Sequence, residues 1–257
     1  MDDNDICLVA VGGDGTANEV INGITDFEKV RFGVIPTGSG NDLARGLSLS
    51  KDPKNGAIHI LNAMKKSRED TWCMDLGEVN FGEKKRLFAI SAGIGLDALV
   101  CKKALKSTIK DILNKIRLGK LTYLVLTVQS LFTMQTADAE IFFDREEGLQ
   151  KKRMIFTAAM NFKAEGGGVP MAPAASACDG KLSFCEAAGI PKWRTFLCLP
   201  FLVAAKHTSI HGFSVTDTKD CPIRFSRPMD DHADGEYCGE ATEVHFHCLP
   251  GKLRVLK

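Results

Sequence analysis

The sequence carries almost no net charge: 33 Lys and Arg offset 32 Asp and Glu, leaving +1. That balance argues against a nucleic-acid partner and against strong attraction to an anionic membrane, so any contact with lipid must rest on a local surface. No pair of cysteines stands at two-residue knuckle spacing. The nine cysteines (Cys7, Cys73, Cys101, Cys178, Cys185, Cys198, Cys221, Cys238 and Cys248) are odd in number and scattered, which reads as reduced, mostly buried thiols. A long hydrophobic run is also missing. The longest, Leu121 to Phe132, is interrupted by Thr122, Thr127, Gln129 and Ser130, whereas a membrane-spanning helix needs about 20 apolar residues. A buried helix is expected there. The acidic start, Met1-Asp2-Asp3-Asn4-Asp5, lacks the positive charge and apolar stretch of a secretory leader, so the expected location is cytoplasmic, with peripheral membrane contact at most. Repeats and low-complexity segments are absent.

What is present suits one large core or two modest ones: 257 residues, 44% hydrophobic, with 24 glycines for tight turns. Ile6 to Val11 is a short apolar run that stops at paired glycines, and Ala17 to Ile24 then carry apolar residues at helical spacing. Val30 to Ile35 repeats the arrangement, followed by Pro36-Thr37-Gly38-Ser39-Gly40-Asn41-Asp42 and a helical Leu43 to Leu47. Two strands that each feed a glycine-rich turn into a helix predict a parallel α/β sheet. After a further helix, Ala57 to Lys66, the texture becomes strand-rich. Strands are expected at Asp70 to Gly77, Arg86 to Ser91, Ala139 to Phe143, Met154 to Ala159 and Leu182 to Ala187, with a helical insert at about 96–133. The last third reads as four short strands: Phe213 to Thr216, Ile223 to Ser226, Glu243 to Cys248 and Leu253 to Leu256. The expected division is therefore a small α/β unit over 1–69 and a larger β-rich unit over 70–257.

The two glycine turns carry the chemistry. Gly12, Gly13, Asp14, Gly15, Thr16, Ala17 and Asn18 sit where a strand ends and a helix begins, the place where open α/β sheets bind ligands. Glycines there let backbone amides approach an anion, and the helix N-terminus favours negative charge. The spacing matches neither a Rossmann fingerprint nor a Walker loop. An acidic Asp14 inside a phosphate cradle would repel phosphate unless a magnesium ion or a proton-accepting role accounts for it. Gly38, Ser39, Gly40, Asn41 and Asp42 repeat the design one strand over. Either turn alone is equally well explained by helix capping. Two in succession favour a phosphate site.

In order and spacing, Gly12-Gly13-Asp14-Gly15-Thr16 and Pro36-Thr37-Gly38-Ser39-Gly40-Asn41-Asp42-Leu43-Ala44-Arg45 resemble the diacylglycerol kinase catalytic domain, which is shared with sphingosine and ceramide kinases. The resemblance continues through Ser91-Ala92-Gly93-Ile94-Gly95-Leu96-Asp97-Ala98, Gly166-Gly167-Gly168, Asp179-Gly180 and Asp234-Gly235-Glu236, and so covers nearly the whole chain. It implies an α/β nucleotide-binding domain and a β-sandwich domain with the active site in the cleft between them. It also implies ATP and magnesium as cofactors and a lipid alcohol such as diacylglycerol as acceptor. Gly12 to Asn18 and Ser39 would line the ATP phosphates. Glu236 corresponds to the family's general base, with Asp14 as the rival for that role. Asp14, Asp42 and Asp97 would organise magnesium and water. A second, structural magnesium would be held by Asp179 and by neighbouring backbone carbonyls, which implicates Ser176 and Lys181; an ordinary Asp-Gly turn is the plain alternative.

One departure from the family pattern is that a further strand-helix-strand-helix unit precedes the glycine motif there, whereas here the motif begins at residue 12. The resemblance thus implies a shortened nucleotide domain. Two other functions stay open: a polar-substrate kinase of the nicotinamide dinucleotide kinase kind, whose turns are similar, and an inactive nucleotide- or lipid-binding remnant. A homodimer stays open too. His207 and His211, at helical spacing without a third ligand, read as a surface pair rather than a zinc site. His245 and His247 flank Phe246 on a strand and share one face. Lys102, Lys103, Lys106, Lys110, Lys115, Arg117 and Lys120 alternate with Leu99, Leu105, Ile109, Leu113 and Ile116. That pattern is usually a solvated face over a packed stripe, and contact with anionic headgroups is the alternative.

Overall fold

The computed structural model describes residues 5–106, 119–144 and 147–257. The chain opens with strand β1 (Ile6–Gly12), helix α1 (Asp14–Asn22), strand β2 (Val30–Pro36) and the five-residue helix α2 (Asp42–Gly46). Helix α3 (Pro53–Ala63) starts where Asp52 accepts a hydrogen bond from the Lys54 amide and Pro53 occupies the first turn, both good N-terminal signals. β1 and β2 pair in parallel, Gly12 opposite Pro36, which places the two glycine turns side by side at one end of the sheet.

Strands β3 (Trp72–Phe81), β4 (Lys84–Phe88) and β5 (Ser91–Gly95) follow, and β5 runs directly into helix α4 (Leu96–Lys106). Helix α5 (Gly119–Thr133) packs on α4. Next come β6 (Ala137–Ile141), β7 (Leu149–Met154), β8 (Phe156–Met160), β9 (Leu182–Ala187), helix α6 (Lys192–Val203), β10 (Phe213–Thr218), β11 (Asp220–Ala233) and β12 (Glu236–Val255). The order β1-β2-β12-β11-β5-β8-β9-β10 forms one hydrogen-bonded network, with β3 and β4 joined through β12 and β6 and β7 through β11. The fold is thus mixed α/β with a large sheet.

The sequence expectation for the last third is corrected. Where four short strands were expected, β10 is followed by two long ones of 14 and 20 residues. Pro228 and the Pro250-Gly251 pair look like breaks, but they fall within stretches of shifted register, between Arg224 and Met229 and between Leu249 and Leu253. A bulge lets a strand continue past a residue that cannot join the ladder. Past the second bulge β12 keeps β3 on one edge, Leu253 to Val255 opposite Met74 to Trp72, and on its other edge Arg254 and Val255 pair in parallel with Arg31 and Phe32 of β2. The end of the chain is thereby sewn to its beginning.

The larger core cluster includes Phe88, Ile94, Leu131, Ile141, Phe184 and Phe246. A second cluster joins Phe32, Ile21 and Leu43 to Met74, Leu76 and Leu253. Burying each of these side chains contributes about 1.5–3 kcal/mol, so the second cluster ties the glycine-turn unit firmly to the strand-rich part.

Three further expectations change. α5 is only half buried: Leu126, Ser130 and Leu131 face inward while Leu124, Val125 and Phe132 face out. His207 is not a surface residue. It lies fully buried in the 3-10 turn His207–Ser209, its Nε2 against the Met171 carbonyl at 2.9 Å, whereas His211 is exposed. Of the cysteines, all free, four are buried, four half-buried, and Cys178 is exposed. In the helical insert, Lys102 bridges Asp230 and Glu240 at 2.7 Å each, and Lys103 donates to Thr133. Ile109, Lys110, Leu113, Lys115, Ile116 and Arg117, and the side chains of Leu105, Lys106 and Lys120, lie outside the described residues.

Candidate functional site

The glycine turns meet backbone to backbone. A Cβ on Gly38 would stand 2.5 Å from the Gly13 Cα, and one on Gly13 3.2 Å from the Gly38 Cα. Only hydrogen side chains allow that approach. Asn41 holds the second turn in shape: it adopts a left-handed φ of 52°, accepts from the Gly38 amide at 3.0 Å and donates to the Gly38 carbonyl at 2.7 Å. Ser39 is exposed at the tip.

The two helix starts differ. The α2 amides of Asp42 and Leu43 donate to the two carboxylate oxygens of Asp14, both at 3.0 Å. α1 begins at Gly13 with no side-chain cap, which leaves its first amides without a side-chain acceptor. Burial pushes the Asp14 carboxyl above the ordinary range, and the Leu43 amide and the Arg45 guanidinium pull it back.

Opposite α1 stands the turn between β11 and β12. Asp234 has a left-handed φ of 48° and is almost fully buried. It accepts four hydrogen bonds: from the amides of Ala89 at 2.8 Å, Ile90 at 2.7 Å and Ser91 at 3.1 Å, and from Asn18 Nδ2 at 2.8 Å. Burial raises its pKa while these donors oppose the rise. Two residues on, Glu236 is bare by contrast. Among the described residues its carboxylate has no hydrogen-bond or ion-pair partner, and a Cβ on Gly15 would lie 2.6 Å from its Oε1. The Glu236 carboxylate therefore rests on the open N-terminus of α1.

Asn18, expected at the phosphates, is 1% exposed and committed inside. Besides Asp234, its amide donates to the Leu87 carbonyl, and its oxygen accepts from Arg86 Nε at 2.8 Å. It ties α1 to β4 and to the Asp234 turn. Asp42 is also shared: Arg45 pairs with its Oδ1, and the Gly167 amide donates to its Oδ2 at 2.8 Å. The Gly-Gly-Gly loop is thus drawn to α2. Asp14 Oδ2 and Asp42 Oδ2 lie 2.9 and 3.7 Å from the position a Gly40 Cβ would take, so the two carboxylates converge. Asp97 is engaged elsewhere, with Oδ2 on His232 Nε2 at 3.1 Å and Oδ1 accepting the Ala98 amide.

Sequence reasoning assigned no part to His232, Glu165 or Asp75. His232 Nδ1 accepts from the Gly235 amide at 3.3 Å, directly beneath the Glu236 turn. Glu165, bonded to Ser91 Oγ, borders the same buried group. Asp75 accepts the Gly180 and Gly251 amides, each at 2.7 Å, and organises the Asp179 loop from below. Asp179 itself is exposed and accepts the Lys181 amide at 3.1 Å in a local turn, while the Ser176 hydroxyl meets Cys178 Sγ. Only the local run Asp230-Asp231-His232-Ala233-Asp234-Gly235-Glu236, dense in titratable groups, hinted at His232. Among the described residues no three His, Cys, Asp or Glu side chains form a ready metal cluster.

Comparison with known proteins agrees with this architecture. Residues 2–74 match the diacylglycerol kinase catalytic domain and residues 90–257 the YegS C-terminal NAD kinase beta sandwich-like domain. The chain is 29% identical over 252 residues to YtlR of Bacillus subtilis strain 168, covering 96% of this chain and 79% of that protein. It is 27% identical over 238 residues to the diacylglycerol kinase of the same organism, covering 90% and 71%. Its fold superposes on a crystal structure from Bacillus anthracis strain Sterne with a TM-score of 0.74 at 21% identity, covering 97% and 78%. It also superposes on an NAD kinase from Archaeoglobus fulgidus in complex with ATP, with a TM-score of 0.53 at 12% identity, covering 98% and 77%. The chain belongs to the diacylglycerol kinase family, with a catalytic-domain segment followed by a YegS-type β-sandwich-like domain.

Proposed function

We propose that this chain transfers the γ-phosphate of ATP to the hydroxyl of diacylglycerol or a similar lipid alcohol. The observation that carries the reading is the unpartnered Glu236 carboxylate resting on Gly15 at the uncapped start of α1. An anion cradle and a free carboxylate in one cleft are what phosphoryl transfer to an alcohol requires. The amides of α1 beside Gly13 and Gly15, with the Gly38 turn against them, stabilise charge on the phosphates. Glu236 accepts the proton of the acceptor hydroxyl as its oxygen attacks phosphorus. Asp14 is the poorer base, because both of its oxygens already accept the α2 amides.

Asp14 and Asp42, converging at Gly40, suit a magnesium ion. Such an ion typically takes one or two carboxylates and completes its shell with substrate phosphates and water. When bound, magnesium neutralises phosphate charge. Asp97 acts through His232 and the Gly235 amide rather than at that point. A second magnesium on Asp179, Ser176 and Lys181 has only a loop of oxygen-bearing residues in its favour. The NAD kinase neighbour supports the nucleotide half of the reading by fold alone; the diacylglycerol kinase relative supports the acceptor.

Transfer of labelled γ-phosphate to diacylglycerol in mixed micelles tests the reading, with NAD as the competing acceptor. Label in the lipid, abolished in Glu236→Gln, supports it. Label in NAD would move the chain to the polar-substrate branch, and label in neither, with no thermal shift on ATP and magnesium, would leave a binding remnant.

A further inference from the structure

Helix α6 inverts the usual pattern of a surface helix. It buries Thr195, Cys198 and Leu202 and turns Trp193, Phe196, Leu197, Phe201 and Val203 outward, between 41% and 66% exposed. A helix on a globular body normally puts its apolar stripe inward. α5 extends the surface: the Phe132 ring packs against Phe196 with centroids 6.1 Å apart, and Lys192 Nζ donates to the carbonyls of Phe132 and Met134. Val125, seven residues before Phe132 and so on the same stripe, is also half exposed. An apolar patch of this kind marks an interaction site.

Charge decides the occupant. No Asp or Glu occurs from Ala187 to Thr216 or from Gly119 to Ala137, whereas Lys192, Arg194 and Lys206 border the aromatic face, with Arg194 and Lys206 exposed. A second copy of this chain docked on the same face would set these cations against each other with no carboxylate between them. An anionic bilayer pairs them with headgroups and takes Trp193 and the phenylalanines at the level where amphipathic aromatics settle.

We propose that the α5–α6 face docks the protein on an anionic lipid surface, lying in the interface without crossing it. The inference deepens the lipid-kinase reading, since an acceptor held in a bilayer has to be met there. It uses α6 and the end of α5 rather than the lysine-rich insert.

The test is co-sedimentation of the full chain with phosphatidylcholine vesicles, with and without phosphatidylglycerol. Trp193 emission in a Trp72→Phe background gives a second readout. The expected result is binding with a blue shift. Trp193→Gln/Leu197→Gln/Phe201→Gln should weaken binding about tenfold or more at unchanged melting temperature. Arg194→Glu/Lys206→Glu should weaken only the phosphatidylglycerol-dependent part. Wild type that ignores both vesicles, or a triple variant that binds like wild type, overturns the proposal. So does a solution dimer that the triple variant dissociates, which would make the face an interface between copies. Phosphorylation of a water-soluble short-chain diacylglycerol should survive the triple substitution. Its absence in wild type would remove the lipid-kinase reading, while vesicle binding alone decides the docking face.

Discussion

The two walls of the candidate site are built by opposite means. The wall formed by residues 12–16 and 36–42 is made by leaving side chains out, so that Gly13 and Gly38 touch and the α1 amides stay open. The wall formed by residues 230–236 is made by burying charged side chains: Asp234 takes four donors and His232 takes Asp97 and Gly235, while the carboxylates of the buried Asp231 and the half-buried Glu236 take none among the described residues. A bonded carboxylate holds position but is a poor proton acceptor, whereas an unbonded one at the same turn can react. On the proposed function, the contrast separates residues that shape the site from Glu236, the residue proposed to act in it.

The sharpest way to break that contrast is Glu236→Gln. Loss of a general base lowers turnover about 10²–10⁴-fold, and with no bond to lose the variant should melt like wild type. Phosphotransfer assays and calorimetry check both halves; a large fall in melting temperature would show that Glu236 shapes the site after all. Asp234→Asn should do the reverse. An amide NH₂ facing the Ala89, Ile90 or Asn18 donors leaves at least one buried group unsatisfied, at about 1–3 kcal/mol. For a chain of this size that is a fall of about 2–4 °C per kcal/mol, with lost activity following lost structure.

Gly38→Ala tests the other wall. Its Cβ meets the Gly13 backbone at 2.5 Å, which cannot swing aside. About a tenfold rise in KM for ATP is expected with a stability loss on the order of 1 kcal/mol; a normal KM would dissociate the glycine contact from nucleotide binding. The smallest effect concerns Asp5, whose bond to Arg31 holds its carboxyl below the ordinary range. A lowered folded-state pKa contributes stability that is present above the unfolded value of about 3.9 and is lost as pH falls through the lower folded-state value. Asp5→Asn should therefore lower the melting temperature by about 1–3 °C at pH 7 and by less at about pH 3. Equal losses at both pH values would mean that packing, not charge, is at stake.

Much of the glycine wall was readable because its parts are neighbours in sequence. Strand, turn and helix succeed one another from Ile6 to Asn22 and again from Val30 to Gly46, and apolar periodicity with glycine punctuation reports such local order. β9 was readable at its true bounds, Leu182–Ala187, because all six residues are buried and flanked by turns. The long β11 and β12 were read as fragments, since prolines absorbed by bulges look the same in sequence as prolines that end strands.

What the sequence determined by itself is thus the alternation of short elements, the two glycine turns and the family that their order identifies. Tertiary structure alone decided that Asp234 is held by four donors while Glu236, two residues on, stands unbonded beside Gly15. It drew Asn18 to Asp234 across 216 positions and set Gly15 against Glu236. It also buried His207 while leaving Trp193 and Phe201 outside. These outcomes depend on pairings between distant strands and on which face of each helix finds a partner, and no local pattern of residue types encodes either.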